Sequence, residues 1–144
     1  MAPIHPARAV ILAGALVACG GETTAPAVTG TCTTQFAIAV TSGTTPIFTW
    51  PGGCMVGAIT VSRLTSQNPG DLRLLAWQIV GIGAGGTGRR NRISSGVRYG
   101  EPPAGATLER AADALQPGVT YHALAAVESD FGLLVPVGTV TFVP

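Results

Sequence analysis

Lysine is absent from this 144-residue chain, charged side chains amount to 10% of it and aromatic ones to 6%. Soluble domains average ~25% charge, so the surface here must be carried by Thr, Ser and Gly, which suits an exported β protein better than a cytosolic helical one. Long apolar runs are missing as well: no stretch reaches the 18 uninterrupted apolar residues of a membrane-spanning helix. Beyond residue 18 neither sign of charge is in excess, because seven Arg (63, 73, 89, 90, 92, 98 and 110) face seven acids (Glu22, Asp71, Glu101, Glu109, Asp113, Glu128 and Asp130). A balance of zero gives no electrostatic steering, and nucleic acid is not an expected partner.

Histidine is scarce too. His5 lies in the N-terminal segment and His122 stands alone in the remainder, so a zinc site has too few ligands and no carboxylate cluster to supplement them. A Ser-His-Asp site can formally be drawn from His122, Asp130 and some Ser. However, no G-x-S-x-G elbow occurs, and strand alternation puts His122 on the face opposite Tyr121. Glu101, Glu109 and Asp113 read as surface charge, since nothing singles out a carboxylate pair for glycoside cleavage. No cofactor, metal ion or catalytic residue is expected.

What is present begins with residues 1–18. Arg8 is the only charged side chain there, an apolar run covers residues 9–17, and small residues close the segment. This is the layout of a secretory signal. As a helix at ~1.5 Å per residue the run reaches less than half of the ~30 Å hydrocarbon core, so it does not span. An ordinary secretory signal with a cysteine near the cut is one reading. Leu16-Val17-Ala18-Cys19 resembles the lipobox of bacterial lipoproteins, which implies thioether lipidation of Cys19, cleavage before it and acylation of the new amino terminus. Two or three acyl chains hold a protein lastingly where one holds it only marginally. Gly20 after the lipidated Cys resembles the pattern sorted to the outer membrane in cells with two membranes. Residues 20–30 (GGETTAPAVTG) lack apolar periodicity and read as a flexible tether that lets a domain stand roughly 20 Å from the lipid.

The remainder, residues 31–144, has the size of one domain. With Cys19 assigned to the lipid, Cys32 and Cys54 form a single possible pair, which an oxidising compartment would join. Free buried thiols or a redox pair are the alternatives, although the spacing is far from C-x-x-C. Strands are expected at 33–40 and 46–50 around the turn Ser42-Gly43-Thr44. If paired residues sum to 86, Phe36 faces Trp50, Ile38 faces Phe48 and Cys32 faces Cys54. Phe36, Ile38, Val40, Phe48 and Trp50 then share one face, and Gln35, Thr41, Thr45 and Thr49 the other.

Further strands are expected at 55–64, at 72–80 (apolar on both faces, with Trp77 inward) and at 91–99, where Ile93, Val97 and Tyr99 oppose Arg92, Ser94 and Arg98. Turn formers crowd residues 66–71 and 100–105. Residues 106–115 have helix-forming composition, yet ten residues make a marginal helix and the neighbours are strands, so a strand or irregular edge is the preferred reading. The last two strands, from Tyr121 and through 137–143, pair if residues sum to 263 around Phe131-Gly132. That register sets Tyr121 against Phe142 and Ala123 against Val140.

Pro46-Ile-Phe48-Thr-Trp50 and Leu115-x-Pro117-Gly118-x-x-Tyr121 resemble fibronectin type III-like and other immunoglobulin-like sandwiches. The resemblance implies an all-β antiparallel sandwich of about seven strands, with a core Trp on an early strand and a Tyr corner before the penultimate one. It implies no activity, since these are packing motifs. One stretch invites another reading. Gly81-Ile-Gly83-Ala-Gly85-Gly86 satisfies G-x-G-x-x-G after a strand, but a dinucleotide site needs a helix to begin at its third Gly. Thr87-Gly88-Arg89-Arg90-Asn91 is turn-like instead and leads into another strand, so a mobile hairpin loop is expected. Arg89, Arg90 and Arg92 read as its solvated tip, with lipid phosphate or an acidic partner as the alternative.

The expectation is a lipid-anchored cell-envelope binding or structural module, held to the membrane through Cys19, facing an envelope protein or glycan. A small envelope hydrolase or carbohydrate-active domain is the alternative, and a carrier of a small apolar ligand would require an internal cavity.

Overall fold

Every-other-residue sorting of apolar side chains decides the layers. The computed structural model describes residues 30–64, 74–83, 88 and 90–144, and contains strands β1 (Phe36–Ala37), β2 (Ala39–Val40), β3 (Ile47–Thr49), β4 (Ala58–Arg63), β5 (Leu75–Gly81), β6 (Val97–Arg98), β7 (Ala106–Arg110), β8 (Tyr121–Glu128) and β9 (Leu134–Phe142). They form a six-stranded sheet in the order β1-β9-β8-β4-β5-β7 and a three-stranded sheet β2-β3-β6. No α-helix occurs among the described residues. Residues of both sheets share one core, so the fold is all-β and two-layered. Trp77 of β5 lies at its centre, fully buried, with Phe48 of β3 at 6.4 Å and Tyr99 at 5.2 Å between ring centroids.

The expected first strand divides in two. Phe36–Ala37 pairs in parallel with β9, whereas Ala39–Val40 pairs antiparallel with β3, so the chain crosses between sheets at buried Ile38. The register with β3 is Ala39↔Thr49 and Val40↔Phe48, two residues from the expected one. A shift of two preserves strand parity, which is why the face assignment survives. Ile38, Phe48 and Trp50 are buried, Phe36 and Val40 pack against the same core, and Gln35, Thr41, Thr45 and Thr49 are exposed. Phe36 still meets Trp50, its ring stacked at 5.9 Å.

Cys32 and Cys54 are joined by a disulfide with Cα atoms 4.9 Å apart. The bridge does not close an antiparallel ladder as the shared register would have it. Thr31 bridges Met55 in parallel, the Met55 N–H donates to Gly30 O (2.8 Å) and the Cys32 N–H to Met55 O (3.0 Å). The reason is the crossing at Ile38: the segment before it has left the small sheet, and the disulfide ties it beside the start of β4.

β4 lies between β5 and β8 and is buried on both sides apart from its end. β8 and β9 pair as expected, Tyr121↔Phe142 and Ala123↔Val140, until a bulge between Ala125 and Ala126 shifts the ladder to Ala126↔Pro136. Pro136 has no N–H to give to a ladder, and the irregularity falls beside it. Of the strand expected at 91–99 only Val97–Arg98 is regular, because Gly96 adopts a positive φ of 95°. Ile93 makes a lone bridge to Val56. Its face holds nevertheless, with Ile93, Val97 and Tyr99 buried. In residues 106–115, β7 forms the sheet edge, exposed along nearly its whole length, and an irregular run leads to buried Leu115. The turn expected at 66–71 lies outside the described residues, as do the segment 1–18, Cys19 and the tether up to residue 29.

The disulfide closes a loop across 22 residues of sequence separation, for which chain entropy predicts about 3 kcal/mol. Replacing both Cys32 and Cys54 by Ser is expected to lower the urea midpoint by the equivalent of that amount while the far-ultraviolet β signal stays unchanged. Equal midpoints for oxidised wild type and the double variant would contradict a stabilising bridge.

Candidate functional site

Five chain segments meet at the end of the sandwich where the chain comes in, here called the proximal end. Gly30 bonds Met55 there, Gly57 donates its N–H to Ala126 O (2.8 Å), and Ala58 pairs with both Val80 and Ala126. The starts of β4, β7 and β9 and the ends of β5 and β8 are therefore at one level. Asn91 locks them. Its Nδ2 donates to Glu128 O (2.9 Å) and its Oδ1 accepts the Glu128 N–H (2.7 Å), so the amide side chain replaces the peptide group of a neighbouring strand. Only a glycine fits opposite. A Cβ on Gly57 would stand 2.7 Å from Asn91 Oδ1 and 2.9 Å from Glu128 N.

The G-x-G-x-x-G stretch begins here. Gly81 is the last residue of β5, its carbonyl accepts the Arg90 N–H (3.0 Å), and a Cβ on it would collide with Arg90 O. Gly83 donates to Gly88 O (3.0 Å). These two bonds are those of a hairpin, whereas a phosphate cradle leaves such N–H groups free to meet an anion. Residues 84–87 and Arg89 lie outside the described residues. Arg90 and Arg92 are exposed at the rim of an open groove with Thr31, Met55, Asn91 and Gly105.

The β8–β9 turn is held by the Gly132 N–H on Ser129 O (2.9 Å), the Ser129 N–H on Leu133 O (2.8 Å) and the Leu133 N–H on Ser129 Oγ (3.2 Å). Gly132 takes the positive φ of 75° that this turn requires. Phe131 and Leu133, on either side of it, are 90% and 66% exposed.

The other sequence candidates are spread apart. His122 is half-buried on β8, between Ser62 of β4 and Thr141 of β9. Asp130 is eight residues further on, or ~26 Å at strand rise, so the two are not brought together. Glu101 lies 3.7 Å from Arg98, and Asp113 2.9 Å from Arg110, in exposed pairs. Among the described residues no group of three or more His, Cys, Asp or Glu is placed to hold a metal ion.

Two tyrosines have structural roles toward the opposite end. The Tyr121 hydroxyl accepts the Gln116 N–H (3.1 Å). The Tyr99 hydroxyl donates to Asp113 O (2.7 Å), with Ala76 O at 3.3 Å. Burial, and next the Asp113 charge, push the Tyr99 phenol well above its ordinary value.

Sequence reasoning placed Phe131 at a turn but missed its exposure, for which the available signal was an aromatic set among turn formers in Ser129-Asp130-Phe131-Gly132. The Asn91 lock left no such signal. Its partner is a backbone group 37 residues away.

Asn91→Ala strands a part-buried Glu128 N–H and is expected to cost about 1–3 kcal/mol in urea unfolding; a loss below 0.5 (roughly the floor for a made hydrogen bond) would contradict the lock. Because the Tyr99 phenol is raised in the folded chain, its stabilising contribution is complete below the ordinary value near 10 and falls as pH rises toward the folded one. Tyr99→Phe is therefore expected to flatten the loss of stability above pH ~10, read as thermal midpoint against pH; unchanged slopes would contradict it. In comparison with known protein families, curated proteins and solved structures, the chain matches none.

Proposed function

We propose that this chain is a lipid-anchored binding or structural module of the bacterial cell envelope, attached through Cys19 and built as an immunoglobulin-like sandwich of the fibronectin type III kind. The observation that carries the reading is the Cys32–Cys54 disulfide, since such bridges persist in oxidising compartments outside the cytoplasm. It agrees with an export segment ending in Leu16-Val17-Ala18-Cys19. Of the three cysteines, the two in the sandwich are consumed by the bridge and the third stands at the lipobox position.

Three features support the family. β2, β3 and β6 follow the A-B-E order of one immunoglobulin-like sheet, and β9, β8, β4 and β5 follow the G-F-C-C′ order of the other. The bond from the Gln116 N–H to the Tyr121 hydroxyl has the form of a tyrosine corner, a hydroxyl tied to backbone a few residues upstream at the start of strand F. Trp50 is buried immediately after β3 with its indole N–H on Cys54 O (3.1 Å). β7 is then an additional edge strand between E and F. The wide dispersal of His122, Asp130 and the other carboxylates supports binding or scaffolding over catalysis.

Expressed in a bacterium that processes lipoproteins, Cys19→Ala is expected to accumulate as an uncleaved precursor without radiolabelled palmitate, while wild type is shorter and labelled. A Cys19→Ala chain that incorporates palmitate would overturn the anchor.

A further inference from the structure

We propose that the β8–β9 turn is a second membrane contact, its Phe131 and Leu133 entering the lipid surface to which the chain is tied. The proposal rests on the reading that Cys19 carries lipid. Exposed apolar side chains scattered singly need no explanation, but these are neither scattered nor loose. Phe131 and Leu133 are the two most exposed large apolar residues among those described; Val143 follows at 53%, and Val135, next along β9 from the turn, is 46% exposed. Three hydrogen bonds donated by the Ser129, Gly132 and Leu133 N–H groups, one of them to the Ser129 hydroxyl, fix the turn that presents them. A pre-formed turn loses little conformational freedom on docking, and apolar side chains at a lipid boundary bury ~5–10 Å deep without a spanning element.

The length of chain ahead of the sandwich selects the occupant. Ten residues lie between Cys19 and Gly30, and the eleven Cα–Cα steps reach at most about 40 Å fully extended and roughly 17–20 Å as the coil that the composition predicts. Gly30 is bonded to Met55 at the proximal end, and Gly57, two residues on, is level with Glu128 at the base of the turn. The nine residues of β9 run ~30 Å from that end to the other. Presenting the distal end to the lipid would take the tether along the full sandwich and use most of its extended length. The proximal end, with the turn projecting from it, is the one that a short tether holds at the membrane.

Charge there is mixed. Arg90 and Arg92 are exposed on the same end as Asp130, with Glu128 half-buried beneath. Attraction to anionic headgroups is therefore not the driving force, and apolar insertion into zwitterionic lipid is. Other occupants, an envelope protein above all, would leave the turn in water when only lipid is supplied.

The test uses the lipidated full chain reconstituted in phosphatidylcholine vesicles, with Phe131→Trp and, separately, Leu133→Trp as reporters. Trp50 and Trp77 are buried and give a constant background. Each reporter is expected to show additional blue-shifted emission that is lost with brominated acyl chains and kept in 0.5 M salt, at which screening lengths are only a few Å (about 3 to 10 Å). Reporters with water-like emission unaffected by bromine, in chains that float with the vesicles, would overturn the contact and favour a protein occupant. Wild type that fails to float would overturn the anchor and this proposal together.

Discussion

The burial of Trp77 between two sheets is the interaction on which the rest of this structure depends. A tryptophan removes 150–250 Å² from water, roughly 4–6 kcal/mol at 25 cal/mol per Å². It does so here at full burial, against Phe48 from one sheet and Tyr99 from the chain just after β6. Its indole N–H has no hydrogen-bond partner among the described residues, which costs about 1–3 kcal/mol, less than the apolar gain. That the site tolerates an unpaired donor indicates how strongly shape dominates at the centre. Phe142, edge-on to Phe48 at 5.7 Å and stacked with Tyr121 at 5.8 Å, extends the same aromatic layer to β8 and β9.

From that layer the two ends of the molecule take different characters. The distal end is fastened by hydroxyl groups, with Tyr121 and Tyr99 holding the irregular run that follows β7. At the proximal end, close approach of backbones does the fastening, through Gly57, Gly81 and the Asn91 amide. The approach is so close that a Cβ on Gly57 or Gly81 would run into Asn91, Glu128 or Arg90. Presented outward from this end are Arg90, Arg92, Asp130 and the hydrogen-bonded turn with Phe131 and Leu133.

Much of the face sorting was legible because strand parity needs only local sequence. Ile38, Phe48, Trp50, Ile93, Val97 and Tyr99 went to the core as their spacing required, and the β8–β9 register followed from matching Tyr121 with Phe142. The crossing at Ile38 was not legible, since an alternating strand reads alike whether it stays in one sheet or changes to another. Gly96 shortened β6 through a backbone angle that composition does not reveal. The disulfide was legible as a pair but not as a parallel attachment, because its geometry depends on the crossing. Of the proximal end, the turn at Phe131-Gly132 could be read and the Asn91 lock could not.

The lipid-bearing terminus is proposed and the bridged sandwich is observed, and the intact mass of the protein extracted from membranes without reducing agent addresses both at once. It predicts a chain that starts at residue 19, heavier than its sequence by a diacylglyceryl group and one further acyl chain and lighter by two hydrogens for the Cys32–Cys54 bridge. An unlipidated chain that retains residues 1–18 and carries three free thiols would contradict it.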